Sequence, residues 1–190
     1  MLNRLFYPPY LRVQWLYNFN FSNKQCTDIT GGWELCYGVS SSTSTHLDSS
    51  TDLNSHVGGM YFRTKKENST STRYYGVATQ NPINTARYRK LTVRFNTTAS
   101  SGSKTISKLQ FYLTTNKTYP SAITSTGNHV GGAGITLATG DQIQIGDIQT
   151  FTANLPSTAI DSKYYLVLMV SYSIRNVAIT WTYNQIYLTK

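Results

Sequence analysis

The sequence predicts an all-β protein, an antiparallel β-sandwich or jelly roll of about nine or ten strands behind an extended N-terminal arm. Three observations carry that expectation. The run YYLVLMVSYS over 164–173 is apolar, rich in strand formers and too short to cross a membrane, and its continuity suggests a strand covered on both faces. After a polar break at Arg175 and Asn176, Val177, Ile179, Trp181 and Tyr183 alternate with polar residues, the period of a strand. The composition agrees. Hydrophobic residues make up 39%, with 15 Tyr, 7 Phe and 3 Trp, while charged residues are only 13%. Ser and Thr supply about a quarter of the chain, well above ordinary usage. Long amphipathic helices need charged faces and strong helix formers, and Glu and Ala are scarce here.

The chain of 190 residues fits one domain with an appended segment: an arm over 1–12 and a sandwich over 13–190. In the arm, Phe6, Tyr7, Tyr10 and Leu11 surround Pro8 and Pro9, which favour extended backbone. Such a segment finds no place in its own sheet; docking on a neighbouring subunit is the expected use, and packing across its own domain is the alternative. Pro8 and Pro9 also interrupt the apolar start, and no small-residue cleavage site follows, so no signal peptide is read.

From Val13 the alternation reads Val13, Trp15, Tyr17, Phe19 and Phe21 on one face, with Gln14, Asn18 and Asn20 on the other. Residues 22–32 form a polar turn region ending in Gly31 and Gly32, and Trp33, Leu35, Tyr37 and Val39 resume as a second strand. Residues 40–57 are a long Ser/Thr-rich surface loop. Further strands are expected over 59–64, 73–79, 91–97 and 107–115, with a flexible loop over 127–134. Short strands follow near Ile143, Ile145 and 148–151. The final block then gives 164–173, 177–183 and a separate last strand over 185–188. The tetrapeptide His-Val-Gly-Gly occurs at 56–59 and 129–132, but its flanks disagree, so it reads as two strand-entry turns.

Cys26 and Cys36 bracket a turn. A disulfide forms there if the flanking strands pair; the alternative is two buried thiols, and two ligands alone do not make a zinc site. The net charge of +9, from 17 basic against 8 acidic residues, raises nucleic acid as a partner. The basic residues are dispersed, densest at Lys65-Lys66 and at Arg87, Arg89 and Lys90, and no recognition motif accompanies them. An acidic protein or an anionic cell-wall polymer suits such a surface as well. Nucleic acid and membrane insertion are not expected.

His46, Asp48, Asp52 and His56 share one loop and could in principle hold a metal, yet match no ligand spacing, and neither metal nor cofactor is expected. Glycoside hydrolysis needs two carboxylates across a cleft. The only glutamates are Glu34 and Glu67, and His129 comes without a nucleophile elbow. A non-enzyme is expected. Aromatic residues beside hydrogen-bonding groups suit sugars, whose apolar CH faces stack on rings. The candidates are Tyr74 and Tyr75 with Arg73, Tyr172 with Arg175, and Trp181 with Tyr183, although aromatics at period two also serve as core.

The segments Leu16-Tyr17-Asn18, Cys26 to Trp33 (CTDITGGW), Tyr61 to Thr64 (YFRT) and Gln185 to Leu188 (QIYL) resemble β-sandwich modules in structural proteins of phages and prophages of gut Firmicutes-type bacteria. Those modules look like carbohydrate-binding jelly rolls, and the resemblance runs from about residue 16 to 188. It implies a virion component, a head or tail fibre, collar or decoration protein, assembled in the bacterial cytoplasm. Its arm would dock on other virion proteins, it would form a homo-oligomer, and its sandwich would meet a bacterial surface glycan. A purely structural adaptor and a glycan hydrolase are the alternatives.

Overall fold

The computed structural model describes residues 13–38, 53, 58–64, 72–99, 106–115, 134–159, 163–173 and 178–190. The arm, and with it Phe6, Tyr7, Pro8, Pro9, Tyr10 and Leu11, lies outside them, as do His46, Asp48, Asp52, His56, His129 and Arg175.

Two six-stranded antiparallel sheets face each other. Sheet A runs β10 (Ile148–Asn154), β7 (Lys90–Ala99), β12 (Ile179–Thr189), β1 (Gln14–Asn20) and β2 (Gln25–Asp28). The short β4 (Met60–Arg63) pairs with residues 180–183 of β12, beside the stretch that β1 uses. Sheet B runs β3 (Trp33–Gly38), β5 (Thr72–Thr79), β11 (Lys163–Ser173), β8 (Ile106–Thr114) and β9 (Ile135–Thr139), and the two-residue β6 (Ile83–Asn84) also pairs with β11.

The sandwich is thus present, with twelve described strands. β2 lies inside the expected polar turn region: it is an edge strand of mostly exposed residues, so no apolar signature announces it. Gly31 and Gly32, at φ +76° and +125°, then turn the chain out of sheet A, and Trp33 enters the core at the start of sheet B. The region of Ile143 and Ile145 carries no strand; β9 and a 3-10 turn at Gly140–Gln142 precede it instead.

The inter-sheet core is aromatic. The ring centroids of Phe95 and Trp181 lie 5.0 Å apart and those of Phe62 and Trp181 6.5 Å apart, all three side chains being fully buried. Glycine is required where β4 closes on β12: Gly59 has φ +137°, and a Cβ there would lie 2.0 Å from the Tyr183 carbonyl oxygen.

Two β-bulges set the faces of sheet A. In β12, Tyr183 pairs with Phe95 and Gln185 with Arg94, so Asn184 is the extra residue. Its buried Nδ2 donates to the Gly58 carbonyl at 2.5 Å. The extra residue keeps Trp181 and Tyr183 on the same inward face as Ile186 and Leu188, which strict period two would place opposite. The expected break before 185–188 is therefore a bulge within one strand. In β1, Trp15 pairs with Tyr187 and Tyr17 with Ile186, so Leu16 is the extra residue. Tyr17 and Phe19 face the core as expected; Val13, Trp15 and Phe21 do not, with Trp15 38% exposed.

Candidate functional site

The residues expected to meet sugar divide into three groups. Trp181 and Tyr183 are fully buried between the sheets and offer no ring face to a ligand, which corrects that expectation. Their inward place follows from the alternation of β12, and burial pushes the Tyr183 hydroxyl far above the ordinary tyrosine range. Tyr75 is likewise in the core. Tyr74 is half-buried on the outer side of sheet B, packed against Cys36, Ala78, Tyr112, Val167 and Met169. The backbone sets Tyr172 of β11 opposite Arg73 of β5, while their side chains and Arg175 lie outside the described residues.

For the cysteines the structure takes the second of the two readings. Cys26 lies on β2 in sheet A and Cys36 on β3 in sheet B, so the strands flanking the turn do not pair with each other. Both are thiols. Tyr17 Oη and Cys26 Sγ are 3.1 Å apart, and complete burial pushes the Cys36 thiol far up, which keeps it protonated and inert.

The open surface with suitable chemistry is the outer face of sheet A. Trp15 and Tyr187, cross-strand partners on β1 and β12, bring their ring centroids to 4.6 Å at an interplanar angle of 54°. One step along the strands, a polar row crosses five of them: Thr27, Asn18, Gln185, Arg94 and Thr150. Gln185 Nε2 donates to Asn18 Oδ1 at 2.8 Å, and Arg94 Nη1 donates to Gln185 Oε1 at 3.4 Å. The Arg94 guanidinium also sits 5.3 Å from the ring centroid of the exposed Phe21. These contacts hold amide and guanidinium groups in place, and among the described residues they leave other donors and acceptors of the same side chains unused. The face can stack on an apolar ring and hydrogen-bond its hydroxyls.

At the end of this sheet where β12 finishes, an open pocket of about 410 Å³ is lined by Gln14, Asn84, Ala86, Arg87, Tyr88 and Lys190. Trp15, Tyr187, Asn18, Gln185 and Arg94 are not among the residues that the sequence singles out for sugar. The signal for Trp15 was Trp15-Leu16-Tyr17, three apolar residues where strict alternation allows no such run, and a bulge resolves that conflict.

No family model and no curated protein sequence matches this chain. Among solved structures it is similar to a xylan-binding module, CBM15, at 15% identity and a TM-score of 0.53, over 94% of this chain and 96% of that one. A carbohydrate-binding module described for specific mannan recognition, TmCBM27, superposes at 10% identity and a TM-score of 0.45, over 94% of this chain and 99% of that one. The fold is that of a carbohydrate-binding-module β-sandwich. The likeness extends to architecture alone.

Proposed function

We propose that this protein is a non-catalytic glycan-binding module whose ligand lies across the outer face of sheet A. One observation carries the reading: the exposed Trp15 and half-buried Tyr187 form an aromatic shelf beside the oriented Asn18, Gln185 and Arg94. Sugars bind through that pairing of ring stacking with planar hydrogen-bonding groups. The structural neighbour named as a xylan-binding module lends the fold a precedent for such a ligand. Titration calorimetry against a panel of soluble polysaccharides tests it. Trp15→Ala should abolish binding while the fold persists, checked by a retained cooperative thermal transition, since the side chain is over a third exposed and lies outside the inter-sheet core. Binding that survives Trp15→Ala but is lost on Tyr172→Ala would move the site to the end of sheet B, where Tyr172 pairs in register with Arg73.

The setting in a phage or prophage virion is part of the same proposal, supported by the resemblance of residues 16–188. The arm then tethers an oligomer to its particle through Phe6, Tyr7, Tyr10 and Leu11. Removing residues 1–12 should abolish assembly onto the particle while the sandwich stays folded. Assembly unchanged by that deletion would refute the tether.

A further inference from the structure

The pocket beside the aromatic shelf is built from parts that the neutral-sugar reading leaves unused. Arg87 and Lys190 line it, and Lys90, paired with Thr189, stands at the same end of the sheet. All three are exposed, and among the described residues none of them meets a carboxylate. Arg87 is not placed there passively. It occupies the third position of a turn closed by Tyr88 N donating to Thr85 O at 3.1 Å, with φ +71°, a left-handed conformation ordinarily left to Gly or Asn. The turn is pinned from both sides. The buried Thr85 hydroxyl donates to the Ala159 carbonyl, and Ala86 N donates to Asn84 Oδ1 at 2.9 Å. A strained, fixed backbone that presents a guanidinium to an open pocket is a feature of a ligand site more than of a solvated loop.

The pocket lies at the end of the two strands that carry the shelf. Gln14 lines the pocket and Trp15 follows it; Lys190 lines the pocket and Tyr187 lies three residues back, about 10 Å along the strand. Arg94 adds a further cation one row beyond the shelf. A polymer that runs along the face and over this end of the sheet therefore meets both aromatic rings and cations. Resting on the glycan-binding reading above, we infer that the ligand is an anionic polysaccharide, its negative group, a carboxylate or a phosphodiester, held in the pocket by Arg87 and Lys190. Arginine at a fixed position suits both groups, because its planar donors match two oxygens at once.

The test compares three probes: polygalacturonate, its fully methyl-esterified form, which keeps the backbone and loses the charge, and poly(glycerol phosphate). Duplex DNA serves as a control polyanion. The wild-type chain should bind polygalacturonate or poly(glycerol phosphate) at least about ten-fold more tightly than the methyl ester, with the preference shrinking as salt rises. Which of the two binds identifies the anionic group. Arg87→Gly, which relieves the left-handed strain, should leave thermal stability intact, remove that preference and spare what binding the methyl ester shows. Trp15→Ala should weaken every saccharide. Equal binding of charged and esterified polymers, unaffected by Arg87→Gly but lost on Trp15→Ala, would overturn the anionic ligand and leave the glycan reading standing. Equal binding of DNA and polygalacturonate, with Trp15→Ala silent, would overturn both and leave only a basic surface. Binding of no probe would also sink both.

Discussion

β11 and β12 are neighbours in the sequence, equal in length at 11 residues, and central to opposite sheets, yet they bury their side chains differently. Every residue from Leu166 to Val170 is fully buried, whereas β12 alternates buried and half-buried positions apart from its bulge. The difference lies in what each sheet turns outward. Sheet B turns out Cys36, Ala78, Tyr112, Val167 and Met169, which form a second apolar cluster that is itself buried. Sheet A turns out Thr180, Thr182, Gln185 and Tyr187, which remain partly accessible. One sheet has two dry faces and the other only one, and the recognition chemistry stands on the wet face.

The sharpest way to break that contrast is to insert one alanine between Gln185 and Ile186. The extra residue takes the inward place, so that Ile186 and Leu188 rotate outward while Tyr187 rotates into the core. The loss should exceed about 4 kcal/mol, enough to abolish a cooperative thermal transition. A sharp transition at an unchanged midpoint would show that the alternation beyond the bulge does not set the register.

A matched pair of substitutions on the two outer faces comes next. Met169→Lys places an ammonium in a dry cluster and should destabilise the fold by about 3–5 kcal/mol in urea denaturation. Thr182→Lys, at a half-buried position on sheet A, should change it by less than about 1 kcal/mol. Equal effects would mean that the two faces are alike.

Titration gives the smallest effect. Burial raises the Cys36 thiol above its ordinary 9.0 and the Tyr183 hydroxyl above its ordinary 10.0, so the folded chain keeps both neutral. The unfolded chain ionises them at those ordinary values. Their contribution is therefore complete below pH 9 and is lost as the pH rises beyond 9–10. Tyr183→Phe removes one of these groups and also a buried hydroxyl that has no hydrogen-bond partner among the described residues. It should raise stability near neutrality by about 1 kcal/mol and shift the alkaline unfolding midpoint upward. A lower midpoint would mean that the hydroxyl makes a favourable contact in the folded chain.

Much of this architecture is legible in the residues. The unbroken apolar run 164–173 announces a strand covered on both sides, and Trp181 and Tyr183 announce an inward stripe. The face of Trp15 is not legible from period two, because one extra residue at Leu16 reverses everything before it. Edge strand β2 is hidden for the opposite reason: nothing in it is buried enough to need a pattern. The pocket is half legible. Arg87, Arg89 and Lys90 form a visible cluster, but only the pairing of β7 with β12 brings Lys190, a hundred residues on, beside them.

The pairing of β1 with β12 also has a mechanical consequence. Gln14 lies opposite Leu188, so the first described strand begins where the last one ends, on the same rim of sheet A. Tension applied between those two points peels β1 from β12 one hydrogen bond at a time, as a zipper opens. Moving one attachment point to the opposite end of β12 loads the same bonds together in shear and should raise the rupture force in a single-molecule pull. A molecule held by both ends would yield first beside Trp15, and the first thing to come apart under load would be the aromatic shelf.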